Sequence, residues 1–417
     1  MIEYEHTILD NGLNVVVHPD PTSSVVVVNV AYKVGSRDET PDKTGFAHLF
    51  EHLMFSGSIH IPSYDEPLQK AGGENNAFTT PDYTNYYLTI PAENIETGLW
   101  LESDRMLGLA FNEKGLEVQR KVVIEEFKQR YLNQPYGDVW HKLRALVYKK
   151  HSYQWPTIGK NIAQIEEAKM EDVRAFFNKY YIPNNAVLVL AGNITTNKGF
   201  ELAKKWFGDI PKGKNVQRNI AEEPAQVAKR HLEVQSNVPV DAFYKVYNMP
   251  GRENTDYYTA DLLSDILGRG KSSLLYQELV ENNLIFTDIA GYVLGSLDPG
   301  LLVVSGKLAE GIIFKNAEAA VDKIINELVD TGVDELALEK AKNQALASHA
   351  FGDIDVLNRA MNLAYGFILD DLDRTNKELG IIKNISLEDI NTMAQSILVE
   401  TNASTMYYKA KQTIHEN

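Results

Sequence analysis

The stretch "HLFEHLMFSG", residues 48 to 57, places two histidines and a glutamate within five positions of an apolar segment. On a helix, residues three and four apart share a face. His48 and His52 are four apart and Glu51 is three from His48, so both imidazoles and the carboxylate can converge on one point. Two neutral imidazoles at this spacing suit Zn²⁺, and a carboxylate left unligated beside the ion can take a proton from water. The bland alternative is a helix with two satisfied histidines and a solvated glutamate. Leu49, Phe50, Leu53, Met54 and Phe55 weigh against it, because they flank the trio on most sides. Polar groups in such surroundings cost on the order of several kcal/mol unless paired or metal-bound.

A catalytic zinc keeps three protein ligands and one open position. The chain has no cysteine, so every ligand must be His, Asp or Glu, and disulfides and thiol catalysis are excluded. Downstream, "EVQRKVVIEEFKQRYLN", residues 117 to 133, reads as a charged helix with Glu125 and Glu126 at its middle. Both have valines three or four positions back, so periodicity leaves both open as the third ligand.

The elements that must position these groups are written twice in the 417 residues. "AHLFEHL" at 47–53 aligns without gaps on "ADLLSDI" at 260–266, an offset of 213 (260 minus 47), and "MEDV" at 170–173 matches "LEDI" at 387–390, an offset of 217 (387 minus 170). In each copy a helical pattern then leads into a strand, "NNAVLVLAGNI" at 184–194 and "TNASTMYYKAK" at 401–411. A β-branched or alternating run, "SVVVVNVAYKVG" or "VDAFYKVYNMPG", stands near the start of each. The expectation is an α+β protein of two homologous domains, each a mixed sheet with helices packed on one face. The polar, turn-rich stretch around residues 210–230 supplies the hinge. The domains are placed at 1–212 and 231–417, with 213–230 as linker.

Composition narrows the function. A hydrophobic fraction of 44% describes a globular chain, and no apolar run reaches the roughly 20 residues that span a bilayer. The net charge of −16 argues against partners that need a basic surface, nucleic acid and anionic membranes. "MIEYEHTILDNG" has no basic segment followed by an apolar one, so no signal peptide is expected; cytoplasm and periplasm both stay open.

With "LDNGLNVVV", "KVGSRDET", "GFAHLFEHLMFSGS", "AGGENNAFTTPDYTNYYLTIP", "LWLESDRM", "YIPNNAVLVLAGNI" and the weaker "KSSLLYQEL", the chain resembles the inverted zincins, the family of pitrilysin, insulin-degrading enzyme and mitochondrial processing peptidase. The likeness runs over nearly the whole length and fits a short, bacterial-type, two-domain subunit. It implies a zinc endopeptidase acting on short or unfolded peptides, with one Zn²⁺ per chain held by His48, His52 and Glu126 and with Glu51 as general base. The family's pattern ends on Glu126 rather than Glu125, 74 residues after His52 (126 minus 52). Asn75, Asn76, Ala77 and Phe78 resemble the family's substrate-binding edge strand, on which an extended peptide adds as a further strand.

Two positions depart from the pattern. Gln119 stands where the family has a second glutamate, two helical turns before the ligand, and would act beside the metal without charge. In the second half the family's Arg/Tyr pair, which binds substrate and the oxyanion, is replaced in "LVENNLIFT" by Val280 and Thr287, with Tyr292 nearby. Asp261, Ser264 and Asp265 occupy the positions of His48, Glu51 and His52, so no second zinc site is expected. The resemblance therefore implies a homo- or hetero-dimer with a related subunit that carries the Arg/Tyr pair. The alternative is a non-catalytic assembly subunit of the same fold, like the core proteins of respiratory complexes.

Overall fold

The β-branched runs become the middles of two sheets in the computed structural model, which describes residues 1–411. The first sheet has six strands: β1 (Glu5–Ile8), β2 (Asn14–Pro19), β3 (Val25–Tyr32), β4 (Glu74–Thr79), β5 (Thr84–Pro91) and β6 (Ala186–Gly192). Their order is β1-β2-β6-β3-β5-β4, with β2 and β6 parallel and all other neighbours antiparallel. The second has β7 (Arg230–Ser236), β8 (Ala242–Met249), β9 (Phe286–Leu294), β10 (Gly300–Leu308) and β11 (Ala403–Ala410) in the order β7-β11-β8-β10-β9. Here β7 and β11 are the parallel pair. Matching β2 to β7, β6 to β11, β3 to β8, β5 to β10 and β4 to β9 superimposes one topology on the other. The α+β class and the duplication are both present.

Strand alternation separates two cores on each sheet. Val26, Val28 and Val30 of β3 and Leu188 and Leu190 of β6 share one buried cluster with Leu99, Leu202 and Phe207 from the helices Ile95–Leu107 and Thr196–Phe207. The intervening Val27, Val187 and Val189 are also fully buried, and the helix Val356–Ile368 lies against β3 and β6. That helix comes from late in the chain. The reciprocal holds in the second sheet, where Val139 and Leu143 of the helix Val139–Val147 cluster with Ala242, Met406 and Tyr408. The first compact unit is thus Met1–Leu132, Lys150–Glu222 and Ala350–Lys377; the second is Asn133–Lys149, Glu223–His349 and the described residues from Glu378 onward. Continuous domains at 1–212 and 231–417 differ from this division by two exchanged segments. The physical reason is that a sheet with apolar residues on both faces needs cover on both. Residues 209–229 carry no helix or strand.

The motif helix, Phe46–Leu53, buries Phe46, Ala47, Leu49, Phe50 and Leu53. It begins at Gly45, whose φ of +85° favours glycine and where a Cβ would lie 2.7 Å from the Ile158 carbonyl oxygen. The carboxylate of Glu39 accepts from the backbone N–H of Gly45 at 3.0 Å and of Ala47 at 2.8 Å, and from the Trp155 indole at 3.0 Å. Burial pushes the Glu39 carboxyl up to about 8, against three donors that favour its ionised form. The ligand helix, Glu113–Phe127, is capped by the Asn112 side chain and buries Leu116, Val123 and Phe127. It continues as a π-helical turn, Lys128–Leu132.

Replacing Glu39 by alanine leaves two helix-start N–H groups without an acceptor, while the Trp155 indole keeps its bond to the Ser36 carbonyl, and should cost about 1–3 kcal/mol. Glu39→Gln, which keeps one acceptor oxygen, should cost less. Denaturant unfolding of the three proteins tests this; an alanine variant as stable as the parent would remove the cap from the account.

Candidate metal centre

The motif helix and the ligand helix bring three donors together from positions 74 residues apart in the chain. Glu126 Oε2 lies 3.5 Å from His48 Nε2 and 3.4 Å from His52 Nε2. The ligand atoms of these three residues all fall within 4.8 Å of one another. Among the described residues, no other group of three such side chains could hold a metal ion. The two imidazole rings meet edge to face with centroids 4.8 Å apart.

Burial sets the protonation of one of the two imidazoles. It lowers the His48 imidazole to about 4, so the ring is neutral near pH 7, the form in which an imidazole binds metal. Glu126 is held below the usual carboxylate range, first by the hydrogen bond from His52 and also by the nearby His48 and Arg130. Its other oxygen, Oε1, lies 3.1 Å from Arg130 Nη1. Neutral imidazoles and an ionised carboxylate are the donor set a divalent zinc takes. His48 Nδ1 is buried without a hydrogen-bond partner, which leaves Nε2 as the nitrogen aimed at the other donors.

Glu51 occupies a separate niche. Its Oε2 accepts a hydrogen bond of 2.5 Å from Thr79 Oγ1, at the end of β4. Burial raises its proton affinity, the Thr79 bond opposing. The two neighbouring carboxyls are therefore shifted apart, Glu126 down and Glu51 up. Glu125, which periodicity left open beside Glu126, turns outward instead and pairs with Lys128 at 2.7 Å.

Gln119, expected near the donors, donates to Ser56 Oγ at 2.9 Å and so ties the ligand helix to the chain just after the motif helix. Asn75, Asn76, Ala77 and Phe78 lie on β4, the edge strand of its sheet, which pairs only with β5. Asn75 donates to Asp65 at 2.9 Å, and the Ala77 N–H is taken by the Asn76 side-chain oxygen at 2.9 Å. Spacing arguments did not reach Thr79, Glu39 or Arg130. Of these only Arg130 carried a signal, since it lies one helical turn past Glu126. In the second unit, Val280 lies in the turn Gln277–Asn282 and Thr287 and Tyr292 on β9. Asp265 pairs with Arg269 at 3.0 Å.

Comparison with known proteins gives a consistent pattern. Residues 14–160 match the family described as insulinase (peptidase family M16), and residues 168–345 match the peptidase M16 inactive domain. The chain is 27% identical to the zinc protease PqqE of Helicobacter pylori, over 98% of this chain and 93% of that protein. It is 26% identical to the uncharacterized zinc protease YmxG of Bacillus subtilis, over 94% of this chain and 95% of that protein. The crystal structure of a protease from Helicobacter pylori superimposes with a TM-score of 0.93 at 27% identity, covering 98% of this chain and 100% of that one. Pitrilysin superimposes with a TM-score of 0.81 at 20% identity, covering 98% of this chain and 45% of that one, which speaks to the fold. Among the described residues no helix is long and apolar enough to cross a membrane. With two imidazoles and a carboxylate converging in its first half, and with both halves matched in order, this chain belongs to the insulinase family, peptidase M16.

Proposed function

We propose that the protein is a zinc-dependent endopeptidase subunit that hydrolyses short or unfolded peptides, with one Zn²⁺ held by His48, His52 and Glu126. The observation that carries this reading is Glu126 Oε2, set within 3.5 Å of both imidazole Nε2 atoms. The relatives named zinc proteases support it. A zinc ion in this position supplies a Lewis acid that polarises the scissile carbonyl and makes water acidic enough to be deprotonated near neutral pH.

The protein's own groups do the rest. Glu51 is not needed as a ligand, and its raised proton affinity suits a base that accepts a proton from water and returns it to the leaving amine nitrogen. Thr79 holds the Glu51 carboxylate from the end of β4. The free edge of that strand offers backbone groups to an extended peptide whatever its side chains, once the Asn76 amide releases the Ala77 N–H. Gln119 steadies the ligand helix through Ser56 rather than through the donors. Val280 and Thr287 offer no guanidinium or phenol at the positions of the family's Arg/Tyr pair, so we assign that pair to a related partner subunit. The competing reading, a non-catalytic assembly subunit, is favoured only by this loss in the second half.

Glu51→Gln should keep one zinc per chain while hydrolysis falls by about 10²–10⁴-fold, the usual worth of a positioned base. Metal analysis beside a peptide-cleavage assay with a chelator control reads both; a fully active variant would end the assignment. Glu126→Ala should lose zinc at concentrations where Glu125→Ala retains it, and equal metal content in the two variants would put the third ligand elsewhere. The chain alone should turn over peptides slowly, with activity rising at least tenfold when a related subunit bearing the Arg/Tyr pair is added. Equal turnover with and without any partner would refute the division of labour, and a zinc-free, inactive mixture would favour the assembly role.

A further inference from the structure

The end of the ligand helix bears a cation that the mechanism above does not use. Arg130 sits in the π-helical turn Lys128–Leu132, directly after the helix that carries Glu126. Such turns often occur at functional sites because they re-aim side chains. Its Nη1 lies 3.1 Å from Glu126 Oε1, the oxygen that faces away from the imidazoles. The charge reaches further, lowering the proton affinity of His48 and of Glu51. Even so, the side chain is 67% exposed.

Other cations nearby are otherwise engaged. Arg120, on the same helix, is committed to the Glu117 carboxylate and to the carbonyls of Glu166 and Ala168. Lys128 is paired with Glu125. A guanidinium has five N–H donors in a planar fork whose geometry matches a carboxylate. Glu126 anchors one nitrogen of the Arg130 fork and leaves the remaining donors turned to solvent beside the three-donor centre. In a chain of net charge −16, a tethered guanidinium at that spot is a local exception to the overall field.

We propose that Arg130 binds a carboxylate of the peptide held at the metal centre, so that the preferred substrates carry an acidic side chain or a free C-terminus close to the cut bond. This rests on the peptidase reading and adds a substrate class to it. Tethering by Glu126 lowers the ordering cost of the Arg130 side chain, which exposed ion pairs ordinarily bear in full. Lysine in its place would keep the charge and lose the fork.

The test uses binding by the zinc-loaded Glu51→Gln protein, which does not depend on turnover. Fluorescence anisotropy compares peptides that differ only in Glu, Gln or Lys beside the cut bond, and a neutral peptide with a free or an amidated C-terminus. The Glu peptide, the free-acid peptide or both should bind about 5-fold more tightly than the neutral counterpart, the scale of a partly exposed ion pair. The arm that responds identifies which carboxylate is read. Adding Arg130→Gln should erase the preference when the variants are compared at saturating zinc with one ion per chain, and Arg130→Lys should restore part of it. A preference that persists in Arg130→Gln, or none in the parent, overturns the inference while leaving a peptide-binding protein intact. Failure of every peptide to bind, together with no cleavage by the unsubstituted chain, overturns the peptidase reading as well.

Discussion

An eight-residue helix has too few hydrogen bonds to be stable alone, yet it must present two imidazoles and a carboxylate at fixed angles. Packing and capping supply what helix propensity cannot. The Phe50 ring lies 4.9 Å from Phe176 and 5.1 Å from Tyr181, which anchors the apolar face of the motif helix. Glu39 binds the N–H groups of its first turn, and Gly45 lets the chain enter at a left-handed residue. The geometry of His48, Glu51 and His52 is a consequence of these contacts. A loosened cap would displace all three together, because they share one rigid segment.

The second condition is electrostatic. Glu51 and Glu126 both feel His52 and feel each other, and a site that treated them alike would have two ligands or two bases. Burial raises Glu51, whose carboxylate, among the described residues, has the Thr79 hydroxyl as its hydrogen-bond donor. Glu126 is lowered because it accepts from His52 and faces His48 and Arg130. Environments that push neighbouring carboxyls apart in this way suit one to stay an ionised ligand and the other to accept a proton and pass it on. The spacing of the residues along the chain holds no trace of this split.

How much could be read from the sequence follows from which interactions are local. The H-x-x-E-H trio was legible because helix periodicity places its members on one face without any knowledge of the fold. The duplication was legible from three aligned stretches, and the two sheets repeat it strand for strand. Glu126 was not separable from Glu125 by periodicity; resemblance selected it, and only in the folded chain does Glu125 turn away to Lys128. Glu39 and Thr79 lay hidden because their partners are 8 and 28 residues away through turns and a strand. The exchanged helices were illegible for a different reason. Val356–Ile368 lies against β3 and β6, and its buried residues include the small Ala360, Ala364 and Gly366 beside Leu363, a pattern that does not say which sheet it covers.

The second half shows how a repeated fold loses a site. Asp261 and Asp265, four apart on the helix Asp256–Gly268, stand where the first half has its imidazoles. Burial first and the charge of Asp265 second raise Asp261 to about 6, so this pair resists carrying two charges. Arg269 already occupies Asp265. Packing differs as well. Gly268 stands at the position of Phe55 (268 minus 213), and a Cβ there would lie 1.8 Å from the backbone nitrogen of Gly291 on β9. The helix therefore presses directly on the backbone of its edge strand, with no side chain between them. In the first half the corresponding Phe55 is half-buried and packs on Tyr64 and Tyr86. The same order of strands thus carries three converging side chains on the helices of one half and a helix pressed on the backbone of its edge strand in the other, which is why shared architecture alone does not transmit chemistry.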